Sequence, residues 1–113
     1  MPTVLIVDDS PTIRRMVAAS LATLPATATV EAASGLQAIE SLAVMPVQMM
    51  ILDLNMPDMH GLDVLRFVRT HARYRDTPVM VLTTRGDESS RAAALQAGAS
   101  AYMTKPFSPA GLA

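Results

Sequence analysis

Five short apolar runs, separated by stretches of helical period, constrain this 113-residue chain more than any other feature. The first strand-like run is Thr3–Val7, and Ser10-Pro11 then supplies an N-cap and a proline at the first helical position. Ile13, Met16, Val17, Ser20, Leu21 and Leu24 follow as a helical stripe that Pro25 ends. Thr27–Ala32 reads as a second strand. Ser34-Gly35 opens a helix with Ala38, Ile39 and Leu42 inward, closed by Pro46. Val47–Asp53 is a third strand, and Pro57–Gly61 is a loop by composition. Leu62, Leu65, Val68 and Arg69 carry a third helix to about His71. Pro78–Thr83 is a fourth strand. An alanine-rich helix follows, capped by Asp87 or Ser89, running to Gln96 with Gly98 as its C′ residue. Ala99–Met103 is a fifth strand. A strict βα alternation predicts an α/β fold: a parallel sheet with helices on both faces and right-handed crossovers.

The length suits one domain, 1–113, and half of the residues are apolar while 17% are charged, so a core can be buried. A net charge of −1 gives no electrostatic reason to expect nucleic acid or an anionic membrane as a partner. Cysteine is absent, which excludes disulfides and thiolate metal sites. The N-terminus lacks the pattern of a signal peptide, and no apolar stretch approaches the ~18 residues of a membrane span. A soluble, cytoplasmic protein is the expectation.

Chemistry collects at one edge. In open parallel sheets, ligands bind outside the carboxyl ends of the strands. Asp8 and Asp9 end the first apolar run, Asp53 the third and Thr83 the fourth, and Lys105 leaves the fifth. Two carboxylates about 4 Å apart repel by roughly 4 kcal/mol at an effective dielectric of 20. A shared proton or a hard divalent cation relieves that repulsion, and Mg2+ favours a few carboxylates with waters and a phosphate. Lys105 offers a point charge to a phosphoryl oxygen, and Thr83 a hydroxyl donor that the Thr84 backbone N–H could supplement. Asp53 can itself serve as a nucleophile and form an acyl phosphate.

Each residue alone has an ordinary explanation. Asp8 and Asp9 could support the first helix N-terminus. Asp53 could be a turn acid, Thr83 a strand residue and Lys105 a solvated charge. Their joint placement at successive strand ends sets these independent explanations aside. Met49, Met50, Met56, Met59, Met80 and Met103 read as core or pocket wall. His60, His71, Arg73 and Arg75 read as solvated surface groups.

The segments VLIVDDS (4–10), MMILDLNMPDMHGLDVL (49–65), VMVLTT (79–84) and AGASAYMTKPF (97–107) resemble the receiver domain of two-component response regulators, closest in form to single-domain chemotaxis receivers. The resemblance implies a flavodoxin-like strand order 2-1-3-4-5. It implies phosphoryl transfer to Asp53 from a histidine kinase or phosphotransfer protein, dependent on Mg2+. Asp9 would ligate the ion directly, Asp8 would act through a water, and Asp53 and the Asn55 carbonyl would complete the protein ligands. Thr83 and Lys105 would hold the phosphoryl oxygens. Lys105-Pro106 matches the family's cis bond, and Asn55 and Arg85 occupy positions that modulate dephosphorylation. Tyr102 matches the aromatic switch position. Its ring would turn inward as the Thr83 hydroxyl moves to the phosphoryl group, changing the surface offered to a downstream protein.

One departure accompanies the resemblance. Pro109–Ala113 supplies only the start of the family's fifth helix, so a sheet face is expected to be partly uncovered and open to self-association. A regulatory domain of a longer protein with an output domain is an alternative. A haloacid-dehalogenase-type phosphatase is a weaker one, because that motif wants an Asp where Asn55 stands. The expected protein is a signalling switch that catalyses only its own phosphorylation and dephosphorylation.

Overall fold

All five apolar runs form strands in the computed structural model of the protein, which describes residues 3–22, 27–56, 58–83 and 88–104. Elements alternate as β1 (Thr3–Val7), α1 (Pro11–Leu21), β2 (Ala28–Ala32), α2 (Gly35–Val44), β3 (Met49–Leu52), α3 (Gly61–Thr70), β4 (Val79–Thr83), α4 (Glu88–Gln96) and β5 (Ala101–Thr104). The sheet is parallel throughout, in the order β2-β1-β3-β4-β5. The architecture is the flavodoxin-like one expected.

Strand alternation sorts the core into two layers. Leu5, Val7, Met50, Leu52, Val79 and Val81 face Ala38 and Leu42 of α2, Val64, Leu65 and Val68 of α3, and Ala94 of α4. Val4, Ile6, Ile51 and Leu82 face Val17 and Leu21 of α1. Both faces of the central strands are therefore apolar, as buried parallel strands require. Each such side chain removed from water contributes ~1.5–3 kcal/mol before conformational entropy is counted. Met50 is fully buried, and Met49, Met56, Met59, Met80 and Met103 pack against the two layers, as core or wall.

Helix ends follow the local sequence. Ser10 Oγ accepts from Ile13 N, with Pro11 in the first turn of α1, and Ser34 Oγ accepts from Gln37 N at the start of α2. Gly98 adopts φ +108° after α4. Its N–H donates to Leu95 O at 3.1 Å while Ala99 N–H donates to Ala94 O at 3.0 Å, the paired bonds of a Schellman stop.

Three readings need correction. Met16 is 49% exposed and not inward, because it lies about 100° around the helix from the buried Val17, at the margin of the stripe. Ser89 lies inside α4, which begins at Glu88, so it is not the cap. Strands β3 and β5 each start two residues later than expected, β5 because the Ala99 amide closes α4. Leu24, Pro25, Pro57, Thr84, Arg85, Asp87 and the segment 105–113, with Lys105, Pro106 and the start of a fifth helix, lie outside the described residues.

Candidate functional site

The acids come together because the ladders of β1 and β3 end in register. Val7 pairs with Leu52 and with Ala32. One residue further, Asp8 N–H donates to Ala32 O at 3.1 Å and Asp53 N–H to Val7 O at 2.9 Å. Both aspartates are thus fixed by backbone bonds just past the sheet. One carboxylate oxygen from each of Asp8, Asp9 and Asp53 falls within 4.8 Å of the others. Asp8 and Asp53 are buried, at 3% and 5% exposure, while Asp9 is exposed.

Two unit negative charges at that spacing repel by about 3–4 kcal/mol at an effective dielectric of 20. Part of this is offset locally. Asp8 Oδ1 accepts from Ser10 N–H at 2.9 Å. The Arg14 guanidinium, reaching back from α1, donates to the Asp8 carbonyl and pairs with Glu31 of β2 at 2.9 Å. Three hard oxygen donors, two withdrawn from water and one facing it, fit a cation that takes a few carboxylates and keeps waters.

The chain after Asp53 is held by contacts that leave no room for side chains. Gly61 N–H donates to Leu54 O at 2.8 Å, and a Cβ on Gly61 would stand 2.6 Å from Leu54 Cα. Asp58 Oδ1 and Oδ2 accept from the Gly35 and Leu36 amides, each at 3.1 Å. The Leu36 bond first, then the Gly35 bond, hold the Asp58 carboxyl below its ordinary pKa of 3.8. Asn55 is exposed within this loop. His60 is exposed, and its Nδ1 accepts from Leu62 N–H at 3.1 Å as the cap of α3. It therefore has a local role that the solvated reading missed. His71 is also exposed, caps the other end of α3 and stacks on Tyr74 with ring centroids 4.5 Å apart.

Thr83 ends β4 fully buried and pairs with Thr104 of β5, while Val81 pairs with Tyr102. Alternation puts Thr83 and Tyr102 on the same sheet face. Tyr102 is half-buried against the larger core layer. Lys105 lies beyond the last described residue of β5.

Arg14, Arg69 and Asp58 were not picked out by sequence reasoning. Only Arg69 carried a visible signal, a charge on the apolar stripe of α3. Its guanidinium donates to Gly98 O at 2.8 Å, Arg75 O at 3.1 Å, Thr77 O and Ser100 Oγ at 3.2 Å. No helix among the described residues is long and apolar enough to cross a membrane.

A doubly wound sheet with an acidic cluster at its carboxyl edge defines the class. The chain belongs to the response regulator receiver domain family, whose model matches residues 4–113. It is a CheY-like signalling domain. The chemotaxis protein CheY1 of Helicobacter pylori is 40% identical over 106 residues, 93% of this chain and 86% of that protein. The transcriptional regulatory protein KdpE of Mycobacterium tuberculosis is 41% identical over 107 residues, 95% of this chain and 46% of that protein. The structure of Vibrio cholerae chemotaxis protein CheY4 superposes with a TM-score of 0.91 at 34% identity, covering 99% of this chain and 92% of that one.

Proposed function

We propose that the chain is a phosphorylation-activated switch that accepts a phosphoryl group on Asp53 from a histidine kinase or phosphotransfer protein, in the cytoplasm. The observation that carries this is the convergence of Asp8, Asp9 and Asp53 oxygens within 4.8 Å at the carboxyl edge of a receiver fold. Asp9, Asp53 and the Asn55 carbonyl would hold Mg2+, with Asp8 in support. When bound, the ion neutralises charge on the acids and on the transferring group.

The chain's own residues do the rest. A carboxylate oxygen of Asp53 attacks phosphorus as the P–N bond of the donor phosphohistidine breaks. The electron pair stays on the leaving imidazole, which solvent protonates. Lys105 and the Thr83 hydroxyl would hold phosphoryl oxygens, where fixed positive charge and donors favour the transition state. Water later cleaves the acyl phosphate and restores the carboxylate. Catalysis is confined to this self-directed cycle.

The output is a population shift. Thr83 and Tyr102 share one face of the sheet, so withdrawing the Thr83 hydroxyl toward the phosphoryl group would free space for the Tyr102 ring. A downstream protein would read the altered surface. The KdpE match supports a second reading, a regulatory module attached to an output domain. The same switch serves either arrangement.

Mass spectrometry after incubation with a small acyl phosphate and Mg2+ tests the assignment. One added phosphoryl group is expected on the wild type and none on Asp53→Asn. Stoichiometric labelling of Asp53→Asn would overturn the choice of acceptor.

A further inference from the structure

We propose that Asp58 is a positioning residue for the cation site: its carboxylate fastens the β3–α3 loop, which carries Asn55, to the N-terminus of α2. This rests on the reading that the three aspartates and the Asn55 carbonyl hold Mg2+. Leu54–Met56 and Asp58–His60 lie between two buried anchors, Asp53 and Gly61. The base of the loop is closed by the Gly61–Leu54 backbone bond. That bond does not fix the far end, and a backbone carbonyl can ligate an ion only as well as its loop is held.

Asp58 supplies the second point of attachment. Its two oxygens each take one of two successive amides, Gly35 and Leu36, in an element more than twenty residues away in sequence. The neighbouring residue reinforces the contact. A Cβ on Gly35 would lie 2.8 Å from the Met59 Cβ, so glycine is what lets the loop seat this closely. The other polar loop side chain with a described bond, His60, acts locally on Leu62.

Capping alone does not account for this arrangement. Helix α2 already has its own cap. Ser34 Oγ accepts from Gln37 N–H at 3.1 Å, and Gln37 Oε1 accepts from Ala33 N–H at 2.8 Å. Asp58 takes the two remaining first-turn donors that sequence-local groups leave unused. The group that gains a fixed position is therefore the loop. Linkage makes the effect mutual: ion binding at one end of the loop must be felt at the Gly35 and Leu36 amides.

The test compares Asp58→Ala and Asp58→Asn with Ser34→Ala, which weakens the same helix start without touching the loop. Mg2+ affinity is measured by calorimetry, and amide shifts by NMR during the titration. Asp58→Ala should weaken Mg2+ about three- to tenfold, less than loss of a group bonded directly to a ligand. Asp58→Asn, with one acceptor oxygen left, should fall between, and it carries the test if the alanine variant does not fold. Ser34→Ala should stay within about twofold of wild type. Gly35 and Leu36 amides should shift with Mg2+ in the wild type and not in Asp58→Ala. Unchanged affinity in both Asp58 variants, or an equal loss in Ser34→Ala, overturns the inference. Failure of the wild type to bind Mg2+ through Asp53, seen as equal affinity in Asp53→Asn, instead overturns the underlying site.

Discussion

Gly61 and Asp53 touch through backbone alone: the Gly61 Cα lies against the Asp53 carbonyl, where a Cβ would collide with that oxygen and with Leu54 Cα. The start of α3 is thereby pressed onto the end of β3, and the Asp53 carboxylate sits on a strand end with little freedom. Gly61→Ala should cost about 2–4 kcal/mol, because the obstacle is backbone and cannot rotate away. Urea denaturation reads the loss. Phosphoryl labelling of the folded fraction should fall with it, since Asp53, the proposed acceptor, would be displaced.

Arg69 and Gly98 make a second close approach at the opposite end of the sheet, here between a side chain and backbone. The guanidinium bonds three backbone carbonyls and Ser100 Oγ, and a Cβ on Gly98 would lie 2.7 Å from Arg69 Cγ. Arg69→Ala should destabilise by about 2–3 kcal/mol, and lysine should restore little, because one ammonium cannot span the same fork of acceptors. Gly98→Ala should cost about 1–2 kcal/mol, from φ +108° together with the crowding. Thermal or urea midpoints check all three variants.

The acidic cluster predicts an inversion of stability with metal. Without a divalent cation, Asp53→Asn should be more stable than wild type by about 1–3 kcal/mol, since one of the converging charges is gone. At free Mg2+ ten times its Kd, the wild type should gain about 1.4 kcal/mol and Asp53→Asn much less. Chelation should return the wild type to its metal-free midpoint. Equal Mg2+ stabilisation of both proteins would contradict a site built on Asp53.

The pH dependence of folding carries the signature of Asp58. Its folded-state pKa lies below the unfolded value, chiefly through the Leu36 amide. The stabilisation is therefore complete above the unfolded value and is lost as pH falls through the folded one. Asp58→Asn should lower the urea midpoint at neutral pH and flatten the decline as pH falls through and below the ordinary carboxylate range. Parallel acid limbs for the two proteins would contradict the bonds to α2.

Element order, parallel pairing and the acids at the sheet edge were legible in the sequence, because they follow from local periodicity and from where apolar runs stop. Met16 misled because a stripe read from spacing has no sharp margin, and only the neighbouring layer decides which edge residue is covered. Arg14 was invisible because it acts through a carbonyl and a glutamate on other elements, which no spacing in α1 encodes. Asp58 looked like loop composition, because its partners are backbone amides and any residue could have supplied them.

By itself the sequence determined which segments are strands, which are helices, and that Asp8, Asp9, Asp53 and Thr83 stand at strand ends. That information is local: pattern, cap and terminator are written in adjacent residues. Only the tertiary structure decided that three carboxylates share a space of 4.8 Å, that Asp58 holds α2, and that Gly61 and Gly98 must lack side chains. Those facts depend on register and close approach between elements far apart in the chain, and they exist only once the layers are packed.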